Sequence, residues 1–182
     1  MSHLTGKKVA FLATDGFEDS ELTSPWDAVT EHGAVAELIS TESGTITGKN
    51  GHEASVDQTS AQASASEYDA LVLPGGVVNS DDIRLDADAV AFVRQIFAEH
   101  KPVGVICHGG WILTDADVLQ GRELTSYPSL RTDLQNAGAK WVDAEVICDE
   151  GLVSSRTPDD LPAFNAKLVE EIGEGKHSGQ TA

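Results

Sequence analysis

Pro102-Val103-Gly104-Val105-Ile106-Cys107-His108-Gly109-Gly110 decides how this chain folds. From Pro102 to Ile106 the run is apolar without alternation, the mark of a central parallel strand covered on both faces. A cysteine follows at once, with two glycines close behind. An apolar strand running into such a turn is the arrangement of a nucleophile elbow, in which the reactive atom sits at the strand exit. A helix is expected to start at Cys107 or His108, and its N-terminal N–H groups favour the thiolate, the reactive form of cysteine. The sulfur of Cys107 is therefore expected to lie open and largely ionised at neutral pH. The plain alternative is a cysteine buried at the end of a core strand. The agreement of strand, glycine and helix signals favours the reactive reading.

Outward from this stretch, strand-like and helix-like runs alternate. Val9 to Ala13 reads as a strand. Glu21 to His32 reads as a helix, with Leu22, Trp26 and Val29 on one face, Pro25 near its first turn and Gly33 as a stop. Val35 to Ser40 is the next strand, and Thr45 to Val56 a hairpin turning at Lys49-Asn50-Gly51. Ser60 to Ser66 reads as a loop, and Ala70 to Leu73 as a strand. Ala89, Phe92, Val93, Ile96 and Phe97 make one buried helical face, with Asp86 and Asp88 at its positive end. Leu124 to Tyr127 reads as a strand and Leu130, Leu134 and Ala137 as a helix ended by Gly138. Two short strands flank Asp149-Glu150-Gly151. A last helix starts with Thr157 as N-cap and Pro158 in its first turn, its inner face being Leu161, Phe164, Leu168 and Ile172. The alternation predicts an α/β fold, a doubly wound, mostly parallel sheet with helices on both faces, in which ligands sit at the carboxyl ends of central strands.

The chain has 182 residues, enough for one domain with a real core. A single domain over 1–182 is expected, ordered over about 7–172, with 173–182 a mobile polar tail. Twelve Lys and Arg against 30 Asp and Glu give a formal charge of −18, which repels phosphate and argues against nucleic-acid and anionic-membrane partners. No apolar run is long enough to cross a bilayer, and Met1 to Thr14 lacks a signal-peptide pattern, so a cytoplasmic location is expected. Two cysteines make a disulfide framework unlikely to be the organising principle in a reducing compartment. Cys148 reads as a small buried hydrophobe, and Trp26, Trp111 and Trp141 as core or subunit-contact residues.

Two further motifs fall at strand exits. Pro74-Gly75-Gly76 is by itself only a turn signal. Paired with the cysteine elbow, its Gly76 N–H can join the His108 N–H as an oxyanion hole. Asp15-Gly16-Phe17-Glu18-Asp19-Ser20-Glu21 opens after the first strand, where acidic residues ordinarily cap a helix. A carboxylate beside Cys107 would raise the thiol pKa, whereas a protonated carboxyl could donate to the thiolate and lower it. His3, His32, His52 and His100 are scattered without metal-ligand spacing, and no G-x-G-x-x-G loop exists, so no metal and no cofactor is expected.

Several stretches together carry a resemblance. They are Phe17-Glu18-Asp19-Ser20-Glu21-Leu22 with Pro25, Gly44 to Lys49, Leu71 to Gly76, Ile106-Cys107-His108-Gly109, Leu124 to Pro128 and Val153 to Arg156. Over about residues 7–172 the chain resembles the DJ/PfpI superfamily, and within it the PfpI-type intracellular proteases and their stress-protein relatives. The resemblance implies a flavodoxin-like three-layer α/β/α sandwich. It implies Cys107 as nucleophile, His108 beside it as catalytic or oxyanion-forming residue, Glu21 hydrogen-bonded to the thiol, and Glu18 and Tyr127 in the pocket. It also implies a homodimer or larger homo-oligomer, whose site receives a carboxylate from a neighbouring subunit after the Pro-Gly-Gly turn. Here that stretch offers Asp81 or Asp82, one residue later than the family's glutamate, and Gly110 replaces a frequent proline. The glutaminase relatives need a later His-x-Glu pair, and after Cys107 and His108 only His177 remains.

Two functions follow. The first is a stress-response cysteine hydrolase acting on small carbonyl compounds, as glyoxal or methylglyoxal adducts, or on peptides. The second is a non-enzymatic sensor or chaperone in which Cys107 is oxidised to sulfinic acid.

Overall fold

The computed structural model describes residues 4–180. In chain order its strands and α-helices are β1 (Lys8–Leu12), α1 (Asp19–Glu31), β2 (Val35–Ser40), β3 (Thr45–Thr47), β4 (Glu53–Ser55), β5 (Gln58–Thr59), β6 (Ala70–Leu73), α2 (Val77–Asp82), α3 (Ala87–Ala98) and β7 (Val103–Ile106). Then come α4 (Ile112–Ala116), β8 (Glu123–Leu124), α5 (Arg131–Asn136), β9 (Lys140–Trp141), β10 (Ile147–Asp149), β11 (Leu152–Ser155) and α6 (Leu161–Glu174). Seven strands form one sheet in the order β10-β11-β7-β6-β1-β2-β5, parallel throughout except for the edge strand β10.

The four central strands β1, β6, β7 and β11 read as apolar runs because both faces are covered. One apolar layer, built on Phe11, Val72 and Ile106, packs against α1 and α6 through Leu22, Val29, Phe164 and Leu168. The other, built on Leu71, Leu73 and Val105, packs against α3 and α4 through Phe92, Ile96 and Leu113. This is the expected flavodoxin-like sandwich. The chain moves outward from β1 through β2 to β5, then returns to β6 on the other side of β1. The crevice between β1 and β6 is thus the switch point where such sheets bind ligands.

Most predicted elements appear within a residue or two. Asp86 caps α3, accepting from the Asp88 and Ala89 N–H groups. Glu150 and Gly151 both have positive φ, the tight turn that suits the β10–β11 hairpin. The β3–β4 hairpin is closed by a longer loop than Asn-Gly implies: only Gly51 has positive φ, and the Gly48 N–H bonds the His52 carbonyl at 2.8 Å.

Several expectations are corrected. Because α1 starts at Asp19, Pro25 lies in its second turn rather than its first. No long helix follows Cys107. A 3₁₀ turn over Gly109–Trp111 leads into the short α4, so individual N–H groups, rather than a macrodipole, act on the sulfur. Strand structure after the elbow stops at Leu124, and 125–127 loop back toward the sheet. Thr157 makes no side-chain cap; the Asp160 carboxylate instead accepts from the Arg156 N–H and side chain. Cys148 is exposed, because β10 is an edge strand with one open face. After α6, Gly175 turns the chain back, the His177 N–H donates to the His100 carbonyl at 2.9 Å, and Gln180 is wholly buried; 181–182 lie outside the described residues.

Candidate active site

Four strand exits, those of β1, β6, β7 and β11, converge on a cavity of about 340 Å³. It is lined by Glu18, Glu21, Lys49, Gly76, Cys107, His108 and Tyr127 among others. Every predicted catalytic and oxyanion residue therefore lies in one place. Asp81 does not line this cavity within the chain; it is exposed on α2.

Cys107 adopts φ +60°, a left-handed conformation that costs a non-glycine residue about 1–2 kcal/mol. Its neighbours impose it. The Cys107 N–H is held by the Ser155 carbonyl at 3.0 Å, and the Cys107 carbonyl accepts from the Tyr127 N–H at 3.0 Å. The turn also needs Gly109, where an added Cβ would lie 2.1 Å from the Leu73 carbonyl oxygen. Gly110 carries no such demand: a Cβ there meets only Val105, at 3.6 Å.

The Pro-Gly-Gly turn is equally constrained. An added Cβ on Gly75 would fall 2.3 Å from Glu21 Oε2 and 2.9 Å from Cys107 Cβ, so Gly75 lets these two side chains approach one another. Gly76 has φ +92°, and its N–H, with that of His108, bonds the Cys107 sulfur. Two backbone donors thus point where charge would develop on a reacting group.

Glu21 is fully buried. Its Oε2 accepts the Gly75 N–H at 2.7 Å, its carboxyl contacts the Cys107 thiol, and Oε1 is buried without a hydrogen-bond partner. Burial, reinforced by the charge of Glu18, pushes its pKa up to about 8, against the Gly75 hydrogen bond. At neutral pH Glu21 is therefore a carboxylic acid.

The expectation of an open, ionised sulfur is corrected. Cys107 is only 9% exposed. Burial pushes its thiol up to about 12, with a negative charge on Glu21 adding to the rise and the two N–H donors opposing it. The Glu21 charge is absent while Glu21 holds its proton, so the carboxyl changes from an obstacle to a donor as pH falls.

His108 lies beside the thiol, its Nδ1 3.2 Å from the sulfur and its Nε2 3.2 Å from Ser129 Oγ. Burial first, and the charge of Lys49 second, lower its pKa, so the ring is neutral at pH 7. With Nε2 protonated toward Ser129, Nδ1 is free to accept the thiol proton. Tyr127 stacks on the ring at 4.6 Å and holds its plane.

Three residues of the site carried no recognisable chemical signal in the sequence. Lys49 reaches in from the β3–β4 loop and pairs with Glu18. Ser129 fixes His108. Asn79 is buried on α2, where its Oδ1 accepts the Thr14 N–H at 2.7 Å and its Nδ2 donates to the Pro74 and Gly75 carbonyls at 3.1 and 3.0 Å. It clamps the exit of β1 to that of β6. The only local hint was that polar Asn79 follows two valines directly after Gly-Gly.

Among the described residues no helix is long and apolar enough to cross a membrane. Comparison with known proteins finds the same architecture. The Pyrococcus horikoshii protein named deglycase PH1704 is 48% identical over 162 residues, which are 89% of this chain and 97% of that protein. General stress protein 18 of Bacillus subtilis is 46% identical over 167 residues, 90% of this chain and 96% of its own length. A crystal structure from Anabaena variabilis, a two-domain protein with DJ-1/ThiJ/PfpI-like and ferritin-like domains, superimposes with TM-score 0.89 at 31% identity, over 97% of this chain and 50% of that longer one. Residues 7–171 match the DJ-1/PfpI family, and the chain belongs to it.

Proposed function

We propose that this chain is a cysteine-dependent hydrolase of the deglycase type, acting on small carbonyl electrophiles such as adducts of glyoxal and methylglyoxal. The observation that carries the reading is the meeting of a thiol, a neutral imidazole, a buried carboxylic acid and two backbone N–H donors in one small cavity. A cavity of about 340 Å³ suits a small carbonyl compound better than a folded polypeptide.

The steps follow from these positions. The Cys107 sulfur forms a bond to the carbonyl carbon while its proton passes to His108 Nδ1. The carbonyl π pair moves onto oxygen, where the Gly76 and His108 N–H groups stabilise it and Glu21 supplies a proton. Where the substrate is an amine adduct, the carbon–nitrogen bond breaks as the carbon–sulfur bond forms, and the amine leaves with the proton held on His108. The proton on the sulfur-bearing carbon then moves to the neighbouring carbonyl carbon, turning the hemithioacetal into a hydroxyacyl thioester. Water attacks this acyl carbon, the carbon–sulfur bond breaks, the sulfur regains a proton, and a 2-hydroxy acid leaves. Lys49 and Glu18 at the rim neutralise one another, so the mouth does not repel an anionic adduct as strongly as the rest of this acidic protein.

The same cavity supports a second reading, an oxidation sensor, since a protonated Glu21 can also donate to an oxidised sulfur. The exposed Val77, Val78 and Tyr127 beside the mouth support a homodimer or larger homo-oligomer with Asp81 or Asp82 presented to a neighbour's site. A cytoplasmic location completes the proposal.

The deciding experiment is turnover of methylglyoxal and of a glycated amino acid by the wild type, Cys107→Ala and Cys148→Ser. The enzyme reading expects loss to background in the first variant alone. Retained turnover in Cys107→Ala would end it, and no turnover in the wild type, with Cys107 oxidised selectively by mild peroxide, would favour the sensor.

A further inference from the structure

The chain beyond the family match builds something of its own. After residue 171 the helix α6 continues to Glu174, Gly175 reverses the direction, and the following residues lie across the starts of β7 and β11. There the His177 N–H donates to the His100 carbonyl, and the Gln180 N–H to the His177 carbonyl at 3.0 Å. Since Cys107 sits at the exits of the same strands, this is the opposite end of the sheet.

We propose that Glu171, Glu174 and His177 form a binding site for a divalent transition-metal ion of the zinc class. Each offers one ligand atom, and the three atoms lie within 4.8 Å of one another. A first-row ion bound tetrahedrally at about 2.0–2.2 Å from each ligand holds the ligand atoms about 3.3–3.6 Å apart, so the three side chains would close in on the ion by small rotamer shifts. Glu171 is nearly buried, 5% exposed, and its Oε2 lies 3.0 Å from His177 Nε2. That nitrogen is buried, and the Glu171 carboxylate is its partner, a His–Glu pair whose facing atoms a metal ion would take as ligands.

A second observation points the same way. The side chain of Gln180 is wholly buried, and neither its Oε1 nor its Nε2 has a hydrogen-bond partner. It packs beside the imidazole: a Cβ added to Gly151 would lie 2.6 Å from His177 Cδ2 and 3.3 Å from Gln180 Oε1. A buried carbonyl oxygen without a partner is costly, and a cation held at the neighbouring imidazole answers that cost for Gln180 Oε1, though not for its Nε2.

The donor set selects the ion. One imidazole with carboxylates suits zinc, cobalt or nickel, whereas magnesium and calcium prefer oxygen alone. Lys167 opposes the ion, since its Nζ holds Glu171 Oε1 at 2.9 Å; this leaves Oε2 as the available ligand. The thiol of Cys148 contacts the same carboxyl but is not among the converging ligand atoms.

The test uses the full chain carrying Cys107→Ala, so that the catalytic thiol does not compete, after treatment with a chelator. Zinc chloride is titrated calorimetrically at neutral pH, and amide hydrogen exchange is followed at His177 and Gln180. One ion per chain is expected, with slowed exchange at both amides. Adding His177→Ala, or Glu174→Gln at an exposed position that the fold does not need, should each weaken binding by at least about tenfold. Failure to bind one equivalent, or an affinity unchanged by either substitution, would overturn the proposal.

Discussion

Cys107 and Cys148 are the two thiols of this protein, and their titration alone does not tell them apart. Each is pushed up to about 12, chiefly by desolvation, with a neighbouring carboxylate second. What separates them is the company each keeps. Cys148 sits exposed on an edge strand against Glu171, whose carboxylate is paired with Lys167 and His177. Cys107 sits at the exit of a central strand against Glu21, which burial, with the charge of Glu18, holds in its protonated form at neutral pH. Cys107 also has two backbone donors, a neutral imidazole and a cavity. On the proposed reading, Cys107 is the reactive thiol because its neighbour can give a proton, not because of a low resting pKa or exposure.

The largest expected effect that sharpens this contrast is on turnover, which should vanish in Cys107→Ala and persist in Cys148→Ser. Next come the glycines of the elbow. Gly109→Ala drives a Cβ into the Leu73 carbonyl and should cost about 3 kcal/mol or more in urea denaturation, displacing the sulfur with it.

The Glu21 carboxyl should appear in the pH dependence of stability. Folded Glu21 keeps its proton up to about pH 8, against an ordinary value of 4.5, so the folded state binds more protons between these limits. Its contribution is fully present below about pH 4.5 and is lost as pH rises through 8, by about 1.4 kcal/mol per pKa unit moved. Denaturant midpoints of wild type and Glu21→Gln, compared at pH 5 and pH 8, should diverge in that direction. Equal slopes would show an ionised Glu21.

Peroxide gives a gentler comparison. Limiting peroxide should add two oxygens to Cys107 before Cys148 is modified appreciably, as read by peptide mass spectrometry. Equal oxidation would erase the distinction between the thiols. The smallest effect is that of Gly110→Ala. With only an ordinary van der Waals contact to Val105 for the added methyl group, it should change stability by less than about 1 kcal/mol, toward stabilisation.

How much of this was legible in the sequence depended on the range of the interaction. The β7 strand, its cysteine and the glycine turns are local patterns, and each landed where the reading put it. The sandwich followed from the alternation of such patterns. Glu21 has no local signal linking it to a cysteine 86 positions later, and only the resemblance pointed to it. Lys49, Asn79 and Ser129 reach the site across loops from different strands, so only the folded geometry reveals them. Cys148 was misjudged because a short apolar run does not say whether its strand lies at an edge. The packing of 175–180 had no sequence signal, because these polar residues are held by backbone bonds to His100 rather than by an apolar face. The sulfur's ionisation was misjudged because a strand exit suggests openness, whereas Tyr127, His108 and the Pro-Gly-Gly turn close around it.

The central claim is that Glu21 is a carboxylic acid facing the Cys107 sulfur at neutral pH. The most direct test is a pH titration of the Glu21 carboxyl, read by carbon NMR in a Cys148→Ser background. The account predicts a Glu21 midpoint of about 8, well below the Cys107 midpoint of about 12, so that Glu21→Gln, by removing the carboxylate present at high pH, lowers the thiol midpoint. A Glu21 midpoint near the ordinary 4.5, leaving the carboxyl ionised at neutral pH, would contradict the account.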